Sequence, residues 1–252
     1  MPYVDLLGYP IFFNDSGAGV PVVFLHNGFY STETWNGVRE AFASRFRVID
    51  YDRYGYGKSA HIEADTLDDD FVERGVLELE ALADALSLEA FHLVGHCLGG
   101  AVALLFAVRH PARVLKVAAE AVGFYGDLKS LVKTDMTFVP FERIEKALKR
   151  KMVAMHGAEY TQKLWRVLSS HKRSYIMNDS YDIRPEVFQL KAPLFLINGD
   201  RDFYFDIEQP AEIYRKLKKT ARLWIVPTCG HDVHVEVPED FTKNVLAFLD
   251  EA

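Results

Sequence analysis

The sequence predicts an α/β fold: a mostly parallel twisted sheet with helices on both faces and a helical lid inserted before the last strands. Three observations carry this. Short apolar runs without alternation, such as "VPVVFL" (Val20 to Leu25) and "APLFLING", have the pattern of strands buried on both faces. Segments with helical apolar spacing alternate with them. One stretch, residues 125–185, breaks the alternation because it is rich in helix formers and holds no clear strand.

Taken in order, "YPIFFND" ends in turn residues at Asp15 to Gly19 and reads as an early hairpin strand. "VPVVFL" and "FRVIDYD" (Phe46 to Asp52) follow as buried strands, with a short helix expected over Trp35 to Phe42. Val72, Val76, Leu79, Ala83 and Leu86 follow helical spacing, and Asp68 to Asp70 would cap that helix. "FHLVG" is a strand, and "LGGAVALLFAVRH" a helix that stops before Pro111. "VLKVAAEAV", "APLFLING" and "ARLWIVP" are further strands. A helix around Ala211 to Leu217 lies between the last two, and Pro238 to Leu249 closes the chain with proline in its first turn. The expected organisation is a core of residues 1–124 and 186–252 and a cap of residues 125–185. The cap would lie over the carboxyl edge of the sheet, where ligands bind in open α/β folds.

Bulk properties exclude several roles. Of 252 residues 49% are hydrophobic, enough for a sizeable core. The net charge of -7 and the lack of a basic run argue against a nucleic-acid partner. Two cysteines, Cys97 and Cys229, are no disulfide framework. The start lacks the features of a secretory signal, and no apolar run approaches the roughly 20 residues of a membrane span. The expectation is a cytoplasmic protein, in a compartment where free thiols survive, acting on a small molecule.

The chemistry centres on "FHLVGHCLGGAV" (Phe91 to Val102). Gly95, Cys97 and Gly99 match G-x-nucleophile-x-G at a strand-to-helix turn. Such a turn needs small neighbours, lifts its central side chain above the sheet and aims a helix N-terminus at it, which lowers a thiol pKa. The competing reading is a buried structural cysteine at a glycine-rich turn. A nucleophile needs a base and an orienting acid, in the chain order nucleophile, acid, histidine for this kind of fold. His231, after Gly230 in a loop beyond the last strand, is the candidate base. Asp200, Asp202 and Asp206 are candidate acids. The Leu98 amide, just after the nucleophile, is a candidate oxyanion donor. "HDVH" with Glu236 could be read as metal ligands, but no metal or other cofactor is expected.

The chain resembles the α/β-hydrolases, in their lidded single-domain branch. The resemblance extends over nearly the whole chain outside the cap. "VVFLHNGFYSTETW" is similar to the family's His-Gly loop, "VIDYDRYGYGKS" to its aspartate–arginine–glycine–serine turn, and "LVGHCLGGAVALLFAVRHPARV" to its nucleophile elbow and helix. "PLFLINGDRD" resembles the acid turn and "VPTCGHDVHVEVPEDF" the histidine loop. The resemblance implies Asp202 as the acid, with Glu120 a remoter alternative because some relatives draw the acid from that strand end, and His234 and Glu236 as loop supports; Asp200 and Asp206 then read as turn and cap residues. It implies Gly28 as the second oxyanion donor, with Phe29 as the fallback, because Asn27 stands where a glycine is usual. "GHCLGG" also resembles the elbows of polyhydroxyalkanoate synthases and dienelactone hydrolases.

The resulting expectation is hydrolysis or acyl transfer on an ester, thioester or lactone of an apolar or aromatic substrate through Cys97, His231 and Asp202. Asn27, Phe29, His96, Phe124, Tyr125 and Trp165 are the expected pocket residues, with packing beneath the loop an equal alternative for His96. Lys172 and Arg173 could meet a carboxylate, though a solvated surface is the simpler reading. His26 is read as a structural hydrogen-bonder. His61, His92, His110, His156 and His171 are read as surface or loop residues. Three alternatives stand beside this: a weak or inactive ligand-binding protein of the same fold, a serine hydrolase carrying a serine-to-cysteine change, and a C–C hydrolase or lyase with the same triad. Dehalogenase and epoxide hydrolase chemistry would need a carboxylate at position 97.

Overall fold

The computed structural model describes residues 2–64, 71–170 and 181–251. Its strands are β1 (Tyr3–Leu6), β2 (Tyr9–Gly17), β3 (Pro21–Leu25), β4 (Arg47–Tyr51), β5 (Phe91–His96), β6 (Val114–Glu120), β7 (Leu194–Gly199) and β8 (Ala221–Val226). They form one sheet in the order β1-β2-β4-β3-β5-β6-β7-β8. β1 and β2 pair antiparallel, and the strands from β4 to β8 run parallel. The early hairpin is β1–β2 around Leu7 and Gly8, not the Asp15 to Gly19 turn. After that turn the chain passes over β4's place to become β3, and β2 pairs with β4 instead.

Helices α1 (Arg39–Ala43), α2 (Phe71–Ala85), α3 (Leu98–Arg109), α7 (Arg184–Val187), α8 (Glu208–Leu217), α9 (Val233–Glu236) and α10 (Pro238–Asp250) accompany the sheet. The helix expected over Trp35 to Phe42 is split into a 3₁₀ turn at Thr32–Trp35 and α1. The central strands alternate between two cores. In β5, Phe91 and Leu93 join the layer of α2 and α3, while Val94 joins the layer of Phe42, Phe241 and Phe248. All six β5 residues are buried, which is why its sequence lacks alternation. From β3 the chain goes to β4 on one side, while β5 lies on the other. This reversal opens a crevice at the carboxyl ends of β3 and β5.

Between β6 and β7 lies a helical insertion: α4 (Leu128–Thr137), a 3₁₀ turn at Phe141–Arg143, α5 (Lys146–His156) and α6 (Ala158–Ser170). Asp127 and Ser130 form a capping box at the start of α4. Core loops hold the insertion at specific polar points. Buried His156 accepts the Gly57 amide at Nδ1 (2.9 Å) and donates from Nε2 to the Phe29 carbonyl (2.9 Å). Tyr160 donates its hydroxyl to the Gly55 carbonyl and accepts the Ile62 amide. His156 is therefore neither a surface nor a loop residue. His92, 5% exposed, is also buried. The expected cap at Asp68 to Asp70, and His171, Lys172 and Arg173, lie outside the described residues. No helix among the described residues is long and apolar enough to cross a membrane.

Candidate active site

Cys97 sits between β5 and α3 with φ 51° and ψ -114°. Left-handed φ at a residue with a side chain costs about 1–3 kcal/mol and persists only where the surroundings impose it. Here the Cys97 amide donates to the Glu120 carbonyl (2.8 Å), and its carbonyl accepts the Ala101 amide. The glycines are sterically required. A Cβ at Gly95 would lie 2.4 Å from the Gly99 carbonyl oxygen, and one at Gly99 would lie 2.2 Å from that of Leu25. The thiol is left half-buried at the N-terminus of α3, where the Leu98 amide has no intrahelical acceptor.

His231 faces this turn from the loop between β8 and α9. Its Nδ1 lies 2.9 Å from Asp202 Oδ2, and its side chain is 13% exposed. The other carboxylate oxygen of Asp202 accepts the Tyr204 and Phe205 amides at 2.8 and 3.2 Å. These bonds hold the carboxylate still and fix Nδ1 as the donor, which turns Nε2 toward sulfur. Burial, the largest single influence, pulls the imidazole pKa down. The Asp202 carboxylate and the hydrogen-bonded Cys97 sulfur outweigh it and hold the pKa well above 6.5. Asp202 is the mirror case: burial pushes its pKa up, but His231 and the two amides bring it below the usual carboxylate value. The Tyr204 ring packs edge-on to His231 at 4.9 Å.

The loop after β3 supplies the opposite wall. Asn27 Oδ1 accepts both the Phe29 and Tyr30 amides, at 2.8 and 2.9 Å. Two expectations change as a result. The Phe29 amide is spent on its own loop and is no oxyanion donor. Asn27, 3% exposed, is a loop brace, not a pocket-facing side chain. The Gly28 amide takes no acceptor among the described residues, and Tyr56 holds the Gly28 carbonyl (3.1 Å). His26 braces the same loop as expected: Nδ1 donates to the Asn27 carbonyl and Nε2 accepts the Arg53 amide.

His96 takes the second of its two expected places, beneath the loop and not in the pocket. It is 0% exposed and donates from Nε2 to the His231 carbonyl (3.0 Å), so it supports the histidine loop from beneath. Burial pushes its pKa down to about 4, which keeps it neutral. Phe124 is fully buried, with its amide on Gln209 Oε1. The Tyr125 ring is covered by the Arg184 guanidinium at 4.0 Å. Trp165 donates to the Val139 carbonyl and clusters with Phe29 and Phe138, joining α6 to the loop after β3.

A second histidine–carboxylate pair lies behind the first. Buried Glu120 accepts from His234 Nδ1 (2.9 Å) and from its backbone amide (3.1 Å), while His234 Nε2 pairs with the Thr34 hydroxyl at 2.8 Å. Glu120 therefore serves His234 and is not the acid of His231. His96, Glu120 and His234 bring one potential metal-ligating atom each within 4.8 Å of one another, and all three are buried. Both oxygens of Glu120 are already engaged by His234. Glu236, in the other set considered, accepts the Gly230 amide instead. Cys229 is free and buried, its thiol pushed up to about 12 chiefly by burial.

Sequence reasoning missed Tyr30, Tyr204 and Lys151. They line a cavity of about 540 Å³ together with Met136, Leu148 and Phe203. Tyr204 follows Asp202 by two positions and Tyr30 follows Gly28 by two, so proximity to the motifs could have marked both. Lys151, on α5, is placed only by tertiary folding, 3.7 Å from Asp232 Oδ2.

Comparison with known proteins agrees with this fold. The chain is 25% identical over 278 residues to a 2-hydroxy-6-oxo-6-phenylhexa-2,4-dienoate hydrolase of Comamonas testosteroni, covering 97% of this chain and 93% of that one. A crystal structure of a meta-cleavage product hydrolase superposes with a TM-score of 0.82 at 20% identity, covering 99% and 98% of the two chains. The enol-lactonase of Burkholderia xenovorans LB400 gives 0.75 at 22% identity, covering 99% and 100%. With the profile of the Alpha/beta hydrolase family matching residues 22–243, the chain belongs to that family and is a hydrolase-family protein by sequence as well as by fold.

Proposed function

We propose that this protein is a cysteine hydrolase in which Cys97 attacks an acyl carbon, His231 moves the protons and Asp202 orients the imidazole. The observation that carries the reading is the 2.9 Å bond from His231 to Asp202 beside a thiol held at φ 51° on the elbow. The raised pKa of His231 favours an imidazolium, the proton donor that a leaving group needs. In the first half-reaction the thiolate forms a C–S bond to the carbonyl carbon, and the carbonyl electron pair moves to oxygen. The Leu98 and Gly28 amides hold that oxyanion. The pair returns, the bond to the leaving oxygen or sulfur breaks, and His231 Nε2–H protonates the departing group. Water then attacks the thioester, giving its proton to His231, and the C–S bond breaks to restore the thiolate. No cofactor enters these steps. The helical insertion acts as the lid, and its aromatic cluster favours an apolar or aromatic acyl group on an ester, thioester or lactone. A pair of free thiols suits a reducing compartment such as the cytoplasm.

A brief pulse with an activated aryl ester, quenched in acid and digested, tests this by mass spectrometry. An acyl mass on the peptide holding Cys97 is expected. Turnover with no adduct there, or no turnover at all by a folded protein, would remove Cys97 as nucleophile. A second reading, C–C hydrolysis, is supported by the named activity of the dienoate hydrolase relatives, which align with 97% of this chain. Loss of the dienoate chromophore of 2-hydroxy-6-oxo-6-phenylhexa-2,4-dienoate, faster than ester hydrolysis, would select it.

A further inference from the structure

The insertion carries an apolar ridge that the catalytic reading does not use. Leu128, Val132 and Met136 recur every fourth residue on α4 and are 78%, 48% and 56% exposed. That spacing stacks them on one helix face over about 12 Å. Phe203 and Ile207 add exposed apolar surface from the loop before α8. Single exposed apolar residues are ordinary, but a continuous patch marks an interaction site. This one is also continuous with the cavity. Met136 and Phe203 belong to its lining, and Tyr30 and Tyr204, further along that lining, stand beside the catalytic loop.

The insertion that bears the ridge has the opposite charge sign to the rest of the molecule, while on α4 itself Lys129 and Lys133 are matched by Asp127 and Asp135. Residues 125–170 hold nine Lys and Arg against five Asp and Glu, a net of +4 in a chain of net -7. Lys133 lies 4.1 Å over the Phe203 ring, and Lys129 pairs with Asp206. On α5, Lys146, Lys149 and Arg150 line an open outward depression with Val153 and Ala154. Asp127 and Asp135 are the acidic groups on or next to α4. Apolar side chains interleaved with lysines on a surface helix are the pattern of interfacial membrane binding. The acidic remainder of the chain would be repelled from the same surface, which sets the orientation.

We infer that the outer face of α4, with the basic face of α5, docks on an anionic lipid surface and places the cavity mouth against it. An acyl chain could then pass from lipid along Met136 and Phe203 into the cavity without crossing water. Docking rests on the surface alone. Only the delivery of an acyl substrate rests on the proposed hydrolase chemistry, so a Cys97→Ala variant separates the two.

Co-sedimentation of the full chain with vesicles is the test. Vesicles of phosphatidylcholine mixed with phosphatidylglycerol should carry the protein down, pure phosphatidylcholine far less, and added salt should release it. Leu128→Ser/Val132→Ser should weaken binding about tenfold or more while leaving hydrolysis of a soluble ester unchanged. Lys133→Glu/Lys149→Glu should weaken binding to the anionic vesicles by a similar factor. Cys97→Ala should bind as the parent does. The inference is overturned if neither vesicle type binds, if pure phosphatidylcholine binds equally, or if the serine variant, shown folded by circular dichroism, binds as tightly as the parent. Light scattering that shows a dimer dispersed by the serine variant would overturn it too, in favour of a second copy covering the ridge.

Discussion

Two histidine–carboxylate pairs lie on neighbouring turns of this molecule, made from the same residue types and with near-identical bonds. His231 and Asp202 meet at 2.9 Å, and so do His234 and Glu120. Their surroundings separate them. The second nitrogen of His231 faces a thiol on a strained turn, and its side chain is 13% exposed. The second nitrogen of His234 is closed by the Thr34 hydroxyl, its ring packs tilted against Trp35 at 4.4 Å, and it is wholly buried. One pair can pass a proton to something that enters, and the other can only hold two loops together. A hydrogen-bonded imidazole is therefore no sign of catalysis by itself; access to its free nitrogen decides.

That contrast can be broken by substitution. His231→Ala should leave a folded protein with activity down by at least about a thousandfold. Near-parent turnover, with a native circular dichroism spectrum, would remove His231 as the base. Asp202→Asn should cost about a hundred- to ten-thousandfold in kcat/KM. It should also move the alkaline limb of the pH profile down, because the carboxylate that raises the imidazole pKa is gone. An unmoved limb would mean that His231 is not the group titrating there.

The same pair carries a stability signature. The folded pKa of His231 is raised, so its contribution is full below the ordinary value of 6.5 and fades as pH rises through the higher folded one. That of Asp202 is lowered, so its contribution is present above 3.8 and lost as pH falls through the lower folded one. Thermal melts of parent and Asp202→Asn should therefore differ most between pH 3.8 and 6.5 and converge on either side.

The second pair should respond the other way. Glu120→Ala strands a buried imidazole and should cost about 3–5 kcal/mol of stability. Its effect on kcat/KM should be far below that of Asp202→Asn. Burial raises the Glu120 pKa, but His234, through its ring and its backbone amide, outweighs it and holds it low, so its stabilisation is present above 4.5 and lost as pH falls further. Thr34→Val should give the smallest change, about 1–2 kcal/mol in denaturant melts with activity retained. A large catalytic loss in either variant, at a temperature where it stays folded, would show that the two pairs share a proton and are not separate.

Much of this was legible in the residues because the constraints are local. The elbow needs small residues two positions either side of Cys97, and Gly95 and Gly99 leave no room for a Cβ. The buried strands show as unbroken apolar runs because both faces are covered. His231 and Asp202 could be named because each ends a short motif on a strand-edge loop. Glu120 was left as a remoter acid, His96 was left between pocket and loop, and His156 was placed at the surface, all for a common reason. Each sits in an ordinary local pattern, and its partner lies far along the chain. Glu120 meets His234, His96 meets the His231 carbonyl, and His156 meets Gly57 and Phe29.

The sequence by itself determined the layers, the strained turn and the chemical identity of the groups at the strand ends, since these depend on neighbours within a few residues. Only the tertiary structure decided which carboxylate serves which histidine and that the Phe29 amide is already spent. It also decided that Met136, at the end of the apolar ridge of α4, lines the cavity. Those outcomes depend on where distant loops come to rest over the sheet edge, and burial and hydrogen bonding there are properties of the packed chain.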